Sequence, residues 1–171
     1  MDEALIAEWN RVVPEDGIVY HLGDVSLGSP NKAAEFLNRL NGTIHLIEGN
    51  HEKSVLKKEE TRKRFASIQD VLMIGVEDAD AVSGRKVGIQ EIFMSHYSHR
   101  VWDKSHRGVW HCFGHSHGGL DKYPWGKSMD VGVDSHATLF GTYVPFTYQE
   151  IKDIMSTREI KVIDHHNNEE E

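Results

Sequence analysis

The sequence predicts an α/β protein, a layered β-sheet sandwich flanked by helices, and three observations carry that prediction. A strand, a helix and a strand follow one another within residues 18–47, which makes a βαβ unit with parallel strands. The second half of the chain is rich in short apolar runs of strand length. Polar side chains collect just past the C-terminal ends of the predicted strands, where open α/β sheets place their ligands.

Each element has a local reason. Residues 4–13 carry Leu5, Ile6, Trp9, Val12 and Val13 at helical spacing, and Pro14, Asp16 and Gly17 end that helix. Residues 18–22 form a buried strand that finishes at Asp24. Residues 31–40 form a helix with Ala33, Phe36, Leu37 and Leu40 on its inner face and a stop at Asn41-Gly42. Residues 43–47 are the next strand. Residues 52–65 read as a charged helix whose basic side chains, Lys53 to Arg64, form a solvated face. Residues 70–76 and 86–94 are strands joined through a turn at Ser83-Gly84, and residues 109–113 and 128–133 are further strands. Thr147 and Glu150 match a capping box that opens a helix running to about Thr157. Residues 159–163 read as a last strand.

With 171 residues the chain fits a single domain, expected over residues 1–164, followed by a polar tail at 165–171. Its 19 basic and 27 acidic residues give a net charge of −8, which excludes a general basic surface for nucleic acid. Phosphate binding stays open wherever a metal inverts the local field. No apolar run is long enough for a bilayer and the N-terminus is not signal-like, so no membrane is expected. The single cysteine, Cys112, excludes an internal disulfide and fits a reducing compartment, so the predicted location is cytoplasmic.

Twelve histidines are the compositional outlier. Several fall in four segments with a common address past strand ends: Gly23-Asp24 with Gly28, Gly49-Asn50-His51-Glu52, Ser95-His96-Tyr97 and Gly114-His115-Ser116-His117. A carboxylate, an amide oxygen and several imidazoles suit manganese, iron, zinc or nickel better than calcium or magnesium, which prefer oxygen alone. Glycines at 23, 49 and 114 let the chain turn sharply at a strand end. His115 and His117 would face one way in an extended segment, whereas a looped one would split them between two ions.

Taken in order, GDVSLG, GNHE, SHY and GHSH over residues 23–117 resemble the calcineurin-like metallophosphoesterase family, in particular its small single-domain bacterial and phage-type members. VGVD at residues 131–134 also looks like the stretch that follows the last metal motif. Each short motif is weak alone; the ordered set is specific. The resemblance implies a four-layer α/β/β/α fold and two divalent transition metals, with manganese favoured. It implies that Asp24 bridges the ions, that Asn50, His96 and His115 complete the second site, and that His117 binds the first. His51 would contact the substrate phosphate or protonate the leaving oxygen. The implied reaction is hydrolysis of a phosphomonoester or phosphodiester by a metal-activated hydroxide, with a nucleotide-like substrate among the options. The alternative is a non-catalytic or single-metal member of the same fold that serves as a protein-interaction scaffold.

The chain departs from that family in one respect. Members begin with a strand ending in Asp-x-His, which supplies the remaining ligands of the first ion, and no such motif lies between Met1 and Asp24. Three expectations follow: Met1 is internal to a longer protein; the protein is a shortened, single-metal or inactive form; or the tail substitutes through Asp164 and His166, which have the same spacing. Among other residues, Cys112 reads as a buried structural thiol, and Ser95 and Ser116 lack an acyl-transfer signature. His21 and His45 read as strand residues. His99, His106 and His111 are pocket-lining candidates, though a solvated loop explains His99 and His106 equally well. Trp102, Trp110 and Trp125 either stack on a ring or pack.

Overall fold

Thr43–Ile47 shows how the fold is organised, because its apolar side chains are buried on both faces. Ile44 and Leu46 pack into one core with Ile6, Trp9, Val13, Leu37 and Leu40. Ile47, on the opposite face, joins a second core with Leu22, Ile92, Met94, Trp110, Cys112, Met129 and Met155. All three residues are fully buried, each contributing about 1.5–3 kcal/mol of apolar burial. A strand that is apolar on both sides must be central.

The computed structural model describes residues 2–25, 29–79 and 84–163. Helix α1 spans Asp2–Val12, strand β1 Ile18–His21, α2 Pro30–Leu37 and β2 Thr43–Ile47. Two short helices follow, α3 Glu52–Val55 and α4 Glu59–Lys63, then β3 Phe65–Gln69. The second half holds β4 Val71–Ala79, β5 Lys86–Ser95, β6 Trp110–Phe113, β7 Ser128–Asp130, α5 Val133–Phe140 and α6 Tyr148–Ser156. One sheet has the order β1-β2-β3 with all strands parallel. The other has the order β4-β5-β6-β7, antiparallel at β4/β5 and parallel elsewhere. The architecture is thus mixed α/β with two sheets and helices. The βαβ unit is present, with Ile18 paired to Thr43 and His21 to Leu46.

Capping chemistry sets several boundaries. Ser29 caps α2 by accepting from the Lys32 amide, with Pro30 at the first helical position. Thr147 and Glu150 cap α6 reciprocally as a capping box. Among the described residues no helix is long and apolar enough to cross a membrane.

Four expectations need correction. The charged helix at 52–65 is two helices, because Lys58 adopts extended backbone (ψ 120°) and breaks the run. Phe65, the last residue of that expected helix, instead opens the strand Phe65–Gln69, which pairs with β2. The strand expected at 128–133 stops at Asp130, and Val133 instead opens α5. Residues 159–163 form no strand: Ile160, Val162 and Ile163 are exposed, with no pairing partner among the described residues. Gly28, Ser83, Asp164, His166 and the expected tail lie outside the described residues.

Candidate metal centre

The site is assembled at the C-terminal ends of β1, β2, β5 and β6. After β1 the chain turns through Gly23 (φ 94°) and Asp24 (φ 56°). Gly23 leaves no room for a side chain, since a Cβ there would sit 2.5 Å from His96 Nδ1. Gly49 is equally constrained: a Cβ would meet Asp24 Oδ1 at 2.6 Å and His96 Cε1 at 2.7 Å. These two glycines allow the β1 and β2 ends to close on the β5 end.

Asp24, Asn50, His96 and His115 are brought together. His96 Nε2 lies 3.0 Å from Asn50 Oδ1, 3.2 Å from His115 Nδ1 and 3.5 Å from Asp24 Oδ2. One ligand atom each from Asp24, His96 and His115 lie within 4.8 Å of one another. His96 is almost wholly buried, and its Nδ1–H donates to the Leu22 carbonyl at 2.7 Å. That bond commits the Nδ1 proton to the carbonyl, so in the neutral ring Nε2 carries the lone pair. It faces the Asn50 amide oxygen, the Asp24 carboxylate and an imidazole nitrogen. Lone pairs converging on one point repel unless a cation lies among them. A histidine whose second nitrogen donates to a carbonyl is a recurring second-shell pattern of metal sites. The donor set therefore fits a divalent transition ion.

His117 is not part of that convergence. It follows His115 on left-handed backbone (φ 64° at His115, 47° at His117), so the two rings diverge. Its side chain is 73% exposed, and Nδ1–H donates to Asp134 Oδ2 at 2.6 Å. That hydrogen bond raises the imidazole pKa above its usual value. His117 does share a cavity of about 180 Å3 with Asp24, His115, Asp130 and Asp134. His51 stands at the rim, exposed, at the start of α3, and its backbone N–H donates to Asp24 Oδ1 at 3.1 Å.

Two buried carboxylates that the sequence reading did not assign hold these loops. Glu52, 1% exposed, accepts from the Val25 and Gly49 amides, both at 2.7 Å, and so ties the β1 and β2 ends together. Asp130, 2% exposed, accepts from Ser116 Oγ at 2.5 Å, Gly118 N at 3.1 Å and Gly132 N at 2.7 Å, and so shapes the His115–His117 loop. Glu52 lies within the quoted GNHE motif. Its signal was a carboxylate directly after a cluster of candidate ligands.

The remaining candidates separate cleanly. Cys112 is buried, and burial pushes its thiol up to about 12, so it is inert. His45 stacks on Tyr20 and bonds Ser67 Oγ at 2.8 Å. His21 lines the Asp24 cavity, with Nδ1 buried and without a hydrogen-bond partner among the described residues, and its pKa pushed down to about 4 by burial. His111 is packed beneath the 99–102 loop and accepts from the His99 amide at 2.9 Å. Trp102 and Trp110 are packing residues, whereas Trp125 and His99 line a cavity.

No protein-family model matches the chain. Over 55 residues it is 49% identical to an uncharacterized protein of Methanocaldococcus jannaschii, a match covering 31% of this chain and 31% of that relative. The chain thus spans about a third of that relative's length. A solved structure, a protein of unknown function from Aquifex aeolicus, superimposes with a TM-score of 0.57 over 90% of this chain and 84% of that one, at 19% identity. A likeness at that identity shows the fold: the chain shares its α/β architecture with the Aquifex protein.

Proposed function

We propose that this protein is a metal-dependent phosphoesterase of the calcineurin-like kind, hydrolysing phosphomonoesters or phosphodiesters on that family's four-layer scaffold. The observation that carries the reading is the convergence of four lone-pair donors, Asp24, Asn50, His96 and His115, around one point at the strand ends. Divalent cations held there supply a water of lowered pKa and neutralise charge growing on the phosphoryl oxygens. Manganese is the favoured ion for the mixed oxygen and nitrogen set.

The chain's own groups do the rest. Asp24 is held in place by the His51 amide, and His96 by the Leu22 carbonyl, so the donors are arranged before a substrate arrives. His51 stands exposed at the rim, where an imidazolium can donate a proton to the leaving oxygen, a contribution of roughly 10²–10⁴-fold. His117, oriented by Asp134, faces the same cavity as Asp24 and is the side chain available to a second ion.

A second reading has one observation in its favour. His117 stands outside the cluster and largely exposed, which suits a single-metal or non-catalytic member acting as an interaction scaffold. Hydrolysis of an aryl phosphodiester with added manganese separates the two. Metal-dependent turnover that falls about 100-fold in His51→Ala supports the phosphoesterase. Manganese binding without turnover supports the scaffold, and failure to bind manganese at all overturns both metal readings.

A further inference from the structure

The two imidazoles of the cluster are held in different ways. His96 is fixed from behind, because its Nδ1–H donates to the Leu22 carbonyl at 2.7 Å. His115 has no such anchor. It is exposed and stands on left-handed backbone (φ 64°), and among the described residues its ring nitrogens meet one protein partner only, His96 Nε2 at 3.2 Å from Nδ1. A ligating histidine almost always donates its second N–H to a carbonyl, a carboxylate or water, which sets the ring orientation. At His115 no protein group takes that part.

An aromatic side chain stands where the anchor would be. The rings of Tyr97, His96 and His115 form a triangle, with centroids 4.8 Å apart for Tyr97 and His96, 4.7 Å for Tyr97 and His115, and 5.0 Å for the two histidines. The three interplanar angles are 74°, 63° and 70°, so every pair is edge-to-face, the arrangement that the ring quadrupoles favour. Turning the His115 ring about its Cβ–Cγ bond would disturb two of these three contacts.

Tyr97 is itself firmly placed. It directly follows buried His96, and its carbonyl accepts from the hydroxyl of buried Ser95 at 2.8 Å. The Gly114 amide donates to the His96 carbonyl at 3.1 Å, so the segments carrying Tyr97 and His115 are tied at their backbones. The Tyr97 ring is nevertheless 50% exposed and belongs to neither hydrophobic core. Core packing therefore does not account for its position, whereas contact with the two imidazoles does.

We propose that Tyr97 is a positioning residue of the metal centre, its ring holding the His115 imidazole in the pose that converges on His96 and Asp24. The contact strengthens when an ion binds, because a ligated imidazole carries more positive C–H edges and an aromatic face attracts positive charge. The inference rests on the metal reading of the cluster and extends it from the ligands to a side chain that supports them. It gives the segment after β5 two tasks: His96 is a ligand arranged by the core, and Tyr97 steadies the ligand that follows the neighbouring strand β6.

Calorimetric titration of the full chain with manganese, comparing the parent with Tyr97→Leu and Tyr97→Phe, tests this role. Tyr97→Leu is expected to weaken manganese binding about 3–10-fold, and Tyr97→Phe, which keeps the ring and loses the hydroxyl, less than about twofold. A second readout reports the pose itself: in the metal-free chain the nuclear Overhauser contact between the His96 and His115 rings is expected to persist in Tyr97→Phe and to weaken in Tyr97→Leu. Manganese affinity unchanged in Tyr97→Leu, reduced as much in Tyr97→Phe, or reduced while the inter-ring contact stays intact, overturns the positioning role and leaves the metal reading standing. A parent chain that binds no manganese removes the metal reading and this inference together. Manganese binding that needs the Tyr97 ring, in a protein without phosphodiester turnover, upholds the inference and removes the phosphoesterase reading instead.

Discussion

His96 and His117 follow neighbouring strands, β5 and β6, yet the fold holds them in opposite ways. His96 is 2% exposed, with one nitrogen committed to a carbonyl and the other aimed at three further donors. His117 is 73% exposed and answers to a single surface carboxylate. The difference separates a donor arranged by the core, His96, from a donor arranged by an exposed loop, His117. If the proposed ion binds, its affinity is expected to rest more on His96 than on His117, because the ordering entropy of His96 is already paid in folding.

The largest test of that division is ligand removal. His96→Ala is expected to weaken manganese binding more than about 100-fold, and His117→Ala less than about tenfold, both read by calorimetry. Equal losses would erase the distinction. Next is Glu52→Gln, which leaves one of two partly buried amides without a full partner. It is expected to lower stability by about 1–3 kcal/mol in urea unfolding and manganese affinity roughly 10-fold. Both losses should occur together, because the same bonds that close the chain hold the loops carrying Asp24 and Asn50.

Acid offers a third probe, through His111 beneath the loops. Burial holds its pKa down to about 4, and the His99 amide donating into Nε2 requires the neutral ring. The folded pKa is below the unfolded value of about 6.5, so the unfolded chain binds more protons between those values and stability rises with pH there. His111 is expected to contribute about 2 kcal/mol of the stability lost from pH 7 to pH 5, with His21, also held down to about 4, adding a loss of the same sign, and a His111→Gln variant is expected to show a flatter slope. The His117 hydrogen bond has the opposite sign: a raised pKa contributes stability below the unfolded value that is lost as pH rises through the folded one. The smallest effect expected is that of Asp134→Asn, a change of only a few-fold in manganese affinity, since it frees a ring that solvent already reaches.

Local chemistry made much of this legible in the sequence. The βαβ unit announces itself through two apolar runs and a helix stop, and the capping box through Thr147 and Glu150. Asp24, Asn50, His96 and His115 were legible because each follows an apolar run and a strand's end is a fixed address. The hidden parts depend on distant partners. Phe65–Gln69 is a strand only because β2 is beside it, and residues 159–163 look like a strand but pair with nothing among the described residues. Glu52 is a brace because Val25, 27 residues earlier, needs an acceptor. His117 shared its motif with His115, and two left-handed residues, invisible in a four-letter pattern, sent the rings apart.

Those left-handed residues bear on how the protein would respond to selection. Asp24, His115 and His117 all occupy positive φ, a region that disfavours side chains with a Cβ by about 1–2 kcal/mol each. Heat tolerance and chemistry therefore pull in different directions at these positions. His115→Gly should be more stable than the parent by on the order of 1 kcal/mol, and so melt higher, while binding manganese far less well. A population screened only for survival at high temperature would drift toward glycine at these loops and shed the centre one ligand at a time.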